Sequence, residues 1–135
     1  MKNRREMIKM KICVSASSGS LDANVDSRFG RCPYFVIVDS KTMEFKAVSN
    51  DSTNAAHGAG IQAAQTVANM GVNVVITGNV GPNAFNVLSA AGIKIVTGAS
   101  GNIREAVEKY KKGELKEIDN PTVGGHFGMG RGRGR

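Results

Sequence analysis

Val75-Ile76-Thr77-Gly78-Asn79-Val80-Gly81-Pro82-Asn83-Ala84 and, twenty residues further on, Ile95-Val96-Thr97-Gly98-Ala99-Ser100-Gly101-Asn102 decide the fold. Each is a short apolar run that passes through Thr-Gly-x-x-Gly into a helical pattern. In the first, Pro82 sits where a first helical residue belongs, its missing N–H being one that no helix would use. In the second, Asn102 is a natural N-cap, and Ile103, Ala106, Val107 and Tyr110 follow at i, i+3, i+4 and i+7. Two successive strand-to-helix units of this kind require parallel neighbouring strands joined by right-handed crossovers.

Working outward, Ile61, Ala64, Gln65 and Ala68 recur at helical spacing from residue 58 until Gly71. Strands are predicted at 72–77 and 93–97, and a helix at 83–91 ending on Gly92. Nearer the start, Ile12 to Ala16 is strand-like, and Tyr34-Phe35-Val36-Ile37-Val38-Asp39 is an apolar run rich in β-branched and aromatic residues. Lys41-Thr42 then makes a tight turn into Glu44-Phe45-Lys46-Ala47-Val48, whose alternation predicts a strand with one solvated face. The expectation is an α/β protein with three α/β/α layers and a mixed five-stranded sheet edged by an antiparallel hairpin.

The chain has 135 residues and a net charge of +7. Residues 1–11 carry +4 of that and residues 121–135 carry +3, so residues 12–120 balance at 10 basic and 10 acidic side chains. A basic nucleic-acid face on the body has no support, and contact with nucleic acid is expected only nonspecifically, through the ends. Residues 1–9 read as a flexible basic extension, 10–120 as one domain, and 121–135, with six glycines from Gly124 onward, as a flexible Gly/Arg-rich tail. Apolar runs are far shorter than the roughly 20 residues of a membrane span, and no secretory h-region follows the first charges, so a cytoplasmic location is expected. Two cysteines are too few for a disulfide scaffold and read as reduced thiols.

Loops after parallel strands lie on one rim of such a sheet, where open α/β folds bind ligands. Here they are bare. Gly78-Asn79-Val80-Gly81 and Gly98-Ala99-Ser100-Gly101 run straight into helix starts, an arrangement that favours anions; glycines that merely permit tight turns are the competing reading. No Gly-x-x-x-x-Gly-Lys-Ser/Thr pattern marks a nucleotide, and no Gly-x-Ser-x-Gly elbow or paired acid marks an enzyme. Cys13, Cys32, His57 and His126 are too widely spaced for a structural zinc site. Arg28 and Arg31 flank Cys32 and are chemically able to lower a thiol pKa and attract an anion; a small buried hydrophobe at the start of a strand is the other reading of Cys32. Cys13, between Ile12 and Val14, reads as buried. His57 precedes Gly58-Ala59-Gly60 at a helix entrance, either facing the rim or simply on the surface, while His126 in the tail either folds over a metal species or does nothing. Asp22, Asp26 and Asp39 read as solvated rather than as a carboxylate set.

Met10-Lys11-Ile12, Phe29-Gly30-Arg31-Cys32-Pro33-Tyr34-Phe35, Asn54-Ala55-Ala56-His57-Gly58-Ala59-Gly60 and Thr77-Gly78-Asn79-Val80-Gly81-Pro82-Asn83-Ala84 together resemble the dinitrogenase iron-molybdenum cofactor biosynthesis family, which includes NifX, NafY and the C-terminal domain of NifB. The similarity runs from about Met10 to about Gly128. It implies a ribonuclease H-like fold without nuclease activity and a non-enzymatic carrier role, with an iron-sulfur or iron-molybdenum cluster, or a precursor, bound transiently. Donor and acceptor proteins are the implied partners, and the carrier a monomer or weak homodimer without membrane contact. Such clusters are anionic and offer iron to thiolate or imidazole. The expected site is Arg28, Gly30, Arg31, Cys32, His57, Gly58, Gly60, Gly78, Asn79, Gly81, Gly98 and Gly101, with Cys32, His57 and His126 as metal ligands. Nitrogenase-associated members have a histidine near the Phe-Gly segment, where this chain has Arg31 and Cys32. Two other readings stand beside the carrier: a nucleic-acid-associated module using the Arg-Gly tail, and an anion or phosphate sensor at the rim.

Overall fold

The computed structural model describes residues 9–51 and 58–122. Strands β1 (Lys11–Ala16), β2 (Tyr34–Asp39) and β3 (Phe45–Ser49) are followed by helix α1 (Ala59–Asn69), strand β4 (Val74–Ile76), helix α2 (Pro82–Ala90), strand β5 (Lys94–Val96) and helix α3 (Ile103–Lys111). The sheet order is β3-β2-β1-β4-β5. β1 pairs antiparallel with β2, and β2 with β3, whereas β1 pairs parallel with β4 and β4 with β5.

β1 sits in the middle and is buried on both faces after Lys11, as a central strand between two helical layers must be. Its alternation sorts the core. Cys13 joins Phe35, Ile37, Val75 and Ile95 under α1 and α2, which contribute Ala63, Ala64, Val67, Ala84 and Leu88. Ile12 and Val14 join Val36, Val38, Val74, Ile76 and Val96 under α3, which contributes Ile103, Ala106, Val107 and Tyr110. The three-layer mixed sheet with its antiparallel edge is therefore as expected.

Local differences have local causes. The hairpin turn is wider than a Lys41-Thr42 pair: Asp39 Oδ1 accepts the N–H groups of Lys41 (2.8 Å) and Thr42 (3.2 Å), and Met43 closes the loop in the left-handed region at φ 62°. β4 and β5 span three residues each, shorter than the predicted runs. After α3 the chain forms a strap around the β5 edge. Glu117 bridges antiparallel to Val96, and the Ile118 N–H donates to the Ile95 carbonyl at 2.8 Å. Tyr110 Oη donates to Glu117 Oε2 at 3.2 Å, and Thr122, read from sequence as part of the tail, is hydrogen-bonded to Val80 on the far rim. Among the described residues no helix is long and apolar enough to cross a membrane.

α3 is capped as its sequence dictates. Asn102 Oδ1 accepts the Glu105 N–H at 2.8 Å, and the Glu105 carboxylate accepts the Asn102 N–H at 3.4 Å. Asn102→Ala removes this reciprocal cap, and equilibrium urea unfolding is expected to show a loss of about 1 kcal/mol; an unchanged midpoint would mean that the Ile103 and Arg104 N–H groups, which donate to the Ala23 and Leu21 carbonyls, hold the helix start without the cap.

Candidate functional site

The long β1–β2 connection is folded back on the strand it leaves. Ser15, fully buried, donates through Oγ to the Asp26 carbonyl at 2.6 Å and lies 2.7 Å from Thr77 Oγ1, while the Asp26 N–H donates to the Ser15 carbonyl at 2.8 Å. The next residues are pinned to the β4–α2 loop by the Asn79 N–H, which donates to the Ser27 carbonyl at 2.8 Å. Two glycines make this closeness possible. A Cβ on Gly78 would stand 2.6 Å from Ser27 Cα, and one on Gly30 would stand 3.0 Å from the Gly60 Cα and backbone nitrogen. The 27–31 segment is thus pressed against the entrances of both α1 and α2.

Between them lies an open groove of about 440 Å³, lined by Ser27–Arg31, Gly58–Gly60 and Asn79–Ala84. Two helix N-termini converge on it. α1 starts from Gly58 in the left-handed region (φ 74°) and α2 from Gly81 with Pro82 at its first position; neither has a side-chain cap, and neither has an acidic residue in its first turn. The first N–H groups of a helix have no partner within it, and together with the helix dipole they attract anions. α3, by contrast, satisfies its own start, and its loop does not line the groove.

Arg28 adds charge in a fixed orientation. Its Nε and Nη2 donate to Asp26 Oδ1 and Oδ2, both at 3.1 Å, and its backbone N–H donates to Oδ1 at 2.9 Å. Partial burial pulls the Asp26 pKa upward, but the hydrogen bonds and charge of Arg28 outweigh it, so the carboxyl titrates below its ordinary value. Asp26, considered from sequence as a solvated carboxylate, instead aims a guanidinium that keeps its remaining donors. Phe29 anchors the segment from beneath, its ring 5.2 Å from that of Phe35. Asn50 holds the other end, donating through Nδ2 to the carbonyls of Cys32 (2.8 Å) and Gly30 (3.3 Å).

Cys32 requires a correction. The neighbouring arginines were read as able to lower its pKa, beside the alternative of a small buried hydrophobe; the thiol is completely buried in the core cluster, donates to the Phe29 carbonyl at 3.3 Å, and has its pKa pushed up to about 12, chiefly by burial. The arginines beside it in sequence point to solvent while Cys32 points inward. Cys13 is buried as expected, and burial together with nearby Cys32 raises it well above its ordinary value.

Of the thirteen residues singled out, Arg28, Gly30, Arg31, Gly58, Gly60, Asn79 and Gly81 line the groove. Gly78 lies behind it as the point of contact with Ser27. Gly98 and Gly101 are not on its lining and turn the chain in the left-handed region, with φ 77° and 81°. His57 and His126 lie outside the described residues. Sequence reasoning missed Ser27 and Asn83 on the lining and Asn50 behind it; Asn83, one residue after Pro82, was the one carrying a signal. Among the described residues no three His, Cys, Asp or Glu side chains gather as a metal-ion site. A larger hollow of about 610 Å³ lies at the opposite end of the sheet, but it meets the C-terminal end of α1 at Met70 and Gly71, and its Lys9 is paired with Asp39 at 3.4 Å.

With this geometry in view, the chain belongs to the family described as dinitrogenase iron-molybdenum cofactor, which matches residues 10–113. It is similar to the apo form of the orange protein of Desulfovibrio gigas, with 42% identity and a TM-score of 0.83 over 86% of this chain and 98% of that one. A Thermotoga protein described as NifB-like shares 33% identity and a TM-score of 0.70 over 80% and 92% of the two chains. An uncharacterized protein of Methanocaldococcus jannaschii is 33% identical over 113 residues, 82% of this chain and 92% of that one.

The thiols provide a direct check. Cys13 and Cys32 are expected to resist iodoacetamide at pH 8 in the native protein and to react in denaturant. Because the Cys32 pKa is raised on folding from its ordinary 9.0 to about 12, its contribution to stability is complete below pH 9 and lost as pH rises toward 12. Rapid native labelling at pH 8 would contradict the buried assignment.

Proposed function

We propose that this protein carries an anionic iron-sulfur or iron-molybdenum type cluster, or a precursor of one, between a donor and an acceptor protein, and that the groove is its seat. The reading rests on one observation: two helix N-termini without side-chain caps converge beside Arg28 and Arg31. Family membership supplies the cargo class. The donor set fits a cluster held by its anionic periphery better than one bonded through cysteine. Backbone N–H groups and guanidinium donate to sulfide or oxo edges, whereas Cys32 would have to leave the core and ionise against a pKa of about 12. Gly30, Gly58, Gly60 and Gly81 keep the groove walls at backbone level, so a bulky anion can approach the N–H groups. His57, bonded directly to groove residue Gly58, and His126 are the imidazoles available to ligate iron. Carriage requires no turnover, and release to an acceptor is easier from a non-covalent seat than from thiolate bonds.

The same donors would suit phosphate, which makes an anion sensor the second reading. Anaerobic mixing with iron and sulfide separates the two. The carrier reading predicts visible charge-transfer absorption that stays with the protein through gel filtration, survives Cys32→Ala and falls several-fold in the Arg28→Ala/Arg31→Ala double variant. Protein that emerges colourless, yet binds inorganic phosphate in a titration, would establish the sensor instead.

A further inference from the structure

The 77–81 loop, where β4 becomes α2, has its backbone held from three directions. From the β5–α3 loop the Gly98 N–H donates to the Gly78 carbonyl at 3.0 Å, and towards the β1–β2 connection the Asn79 N–H donates to the Ser27 carbonyl at 2.8 Å. The third hold comes from the strap. Thr122 donates its N–H to the Val80 carbonyl at 2.9 Å, while its hydroxyl accepts the Val80 N–H at 2.8 Å and lies 3.2 Å from the same carbonyl. One residue thus takes both backbone groups of Val80, whose side chain is 1% exposed in the core under α1 and α2.

These bonds decide which amides are left for a ligand. The N–H groups of Asn79 and Val80 are engaged, Pro82 has none, and the Phe85 N–H closes the first turn of α2 on the Gly81 carbonyl at 3.0 Å. Asn83 and Ala84 lie between, both on the groove lining, and their N–H groups have no acceptor within the helix. Without the Thr122 hydroxyl the Val80 N–H loses its acceptor, and a buried unpaired N–H is costly enough to turn the loop towards water. The water beside Val80 is that of the groove, so such a turn would swing Gly81 and the start of α2 with it. We infer that Thr122 is a positioning residue of the anion seat: its hydroxyl fixes Val80 so that the Asn83 and Ala84 N–H groups face the groove. This rests on the reading of the groove as the anion seat. Because the strap is also fastened along β5 at Glu117 and Ile118, the seat and the strap order one another, and the coupling runs in both directions.

Tetrathiomolybdate serves as the probe, titrated into the unaltered chain, into Thr122→Val, which keeps the shape and removes the hydroxyl, and into Thr122→Ser, which keeps the hydroxyl. Thr122→Val is expected to bind roughly fivefold or more weakly, the scale of one hydrogen bond, and Thr122→Ser to restore most of the loss. In amide-resolved NMR spectra Thr122→Val should lose the probe-induced shifts at Asn83 and Ala84 and keep those at Ala59 and Gly60, a split that general destabilisation does not produce. In the unaltered chain, hydrogen exchange at the Val80 and Thr122 amides should slow several-fold when the probe is bound; exchange that does not change would overturn the coupling whether or not the variants fold. Tyr110→Phe loosens the strap at Glu117 without touching Val80 and is expected to keep full affinity. Equal losses in Tyr110→Phe and Thr122→Val would overturn the role of the hydroxyl, as would full affinity in Thr122→Val together with affinity lost in Arg28→Ala/Arg31→Ala, a result that leaves the groove reading intact. Full affinity in Arg28→Ala/Arg31→Ala, or no binding by the unaltered chain, would overturn both.

Discussion

Everything that makes a site of this sheet depends on a backbone-to-backbone contact made where two glycines leave room. Ser27 lies against Gly78, and Gly30 against Gly60, so closely that a methyl group at either glycine would meet main-chain atoms at 2.6–3.0 Å. This contact draws the β1–β2 connection across the carboxyl ends of the parallel strands and sets it between the starts of α1 and α2. From it follow the depth of the groove, the burial of Phe29 and Cys32, and the outward aim of Arg28 and Arg31. Side chains any larger would hold the segment away and separate the arginines from the helix ends they complement.

The electrostatics gain their meaning from this placement. A body with balanced charge concentrates positive potential at one mouth by three means: uncapped helix starts, a guanidinium oriented by Asp26, and the absence of acidic residues in either first turn. The opposite end of the sheet, although it encloses more space, mixes Lys9 with Asp39 and Glu44 near a helix C-terminus. Volume alone points to that end, and charge to the groove.

Much of the architecture was legible because it is written in local periodicity. The repeated Thr-Gly-x-x-Gly after an apolar run announced parallel strands, and the Tyr34–Asp39 run with the alternation after it announced the edge hairpin. The Asn102 cap and the stripe from Ile103 to Tyr110 were readable residue by residue. The groove was half legible. Glycines before helices marked the two N-termini, but nothing local distinguished Gly98 and Gly101, which turn the chain away from the groove lining, from Gly58 and Gly81, which open onto it. The orientation of Cys32 depends on how a loop packs in three dimensions; its charged neighbours suggested an exposed thiol, whereas hydrogen bonds to Phe29 and from Asn50 tie its surroundings into the core. The Thr122 anchor was invisible for a similar reason, because its partner is 42 residues away and the composition around it reads as tail.

The central claim is that anionic cargo is held where the 27–31 segment meets the starts of α1 and α2. An amide-resolved NMR titration with a thiometallate anion tests it most directly. The account predicts that the largest shifts fall on Ser27–Arg31, Gly58–Ile61 and Asn79–Ala84, saturating together with a single affinity. Shifts centred instead on Lys9, Lys11, Phe45 and Met70, at the other end of the sheet, would contradict it.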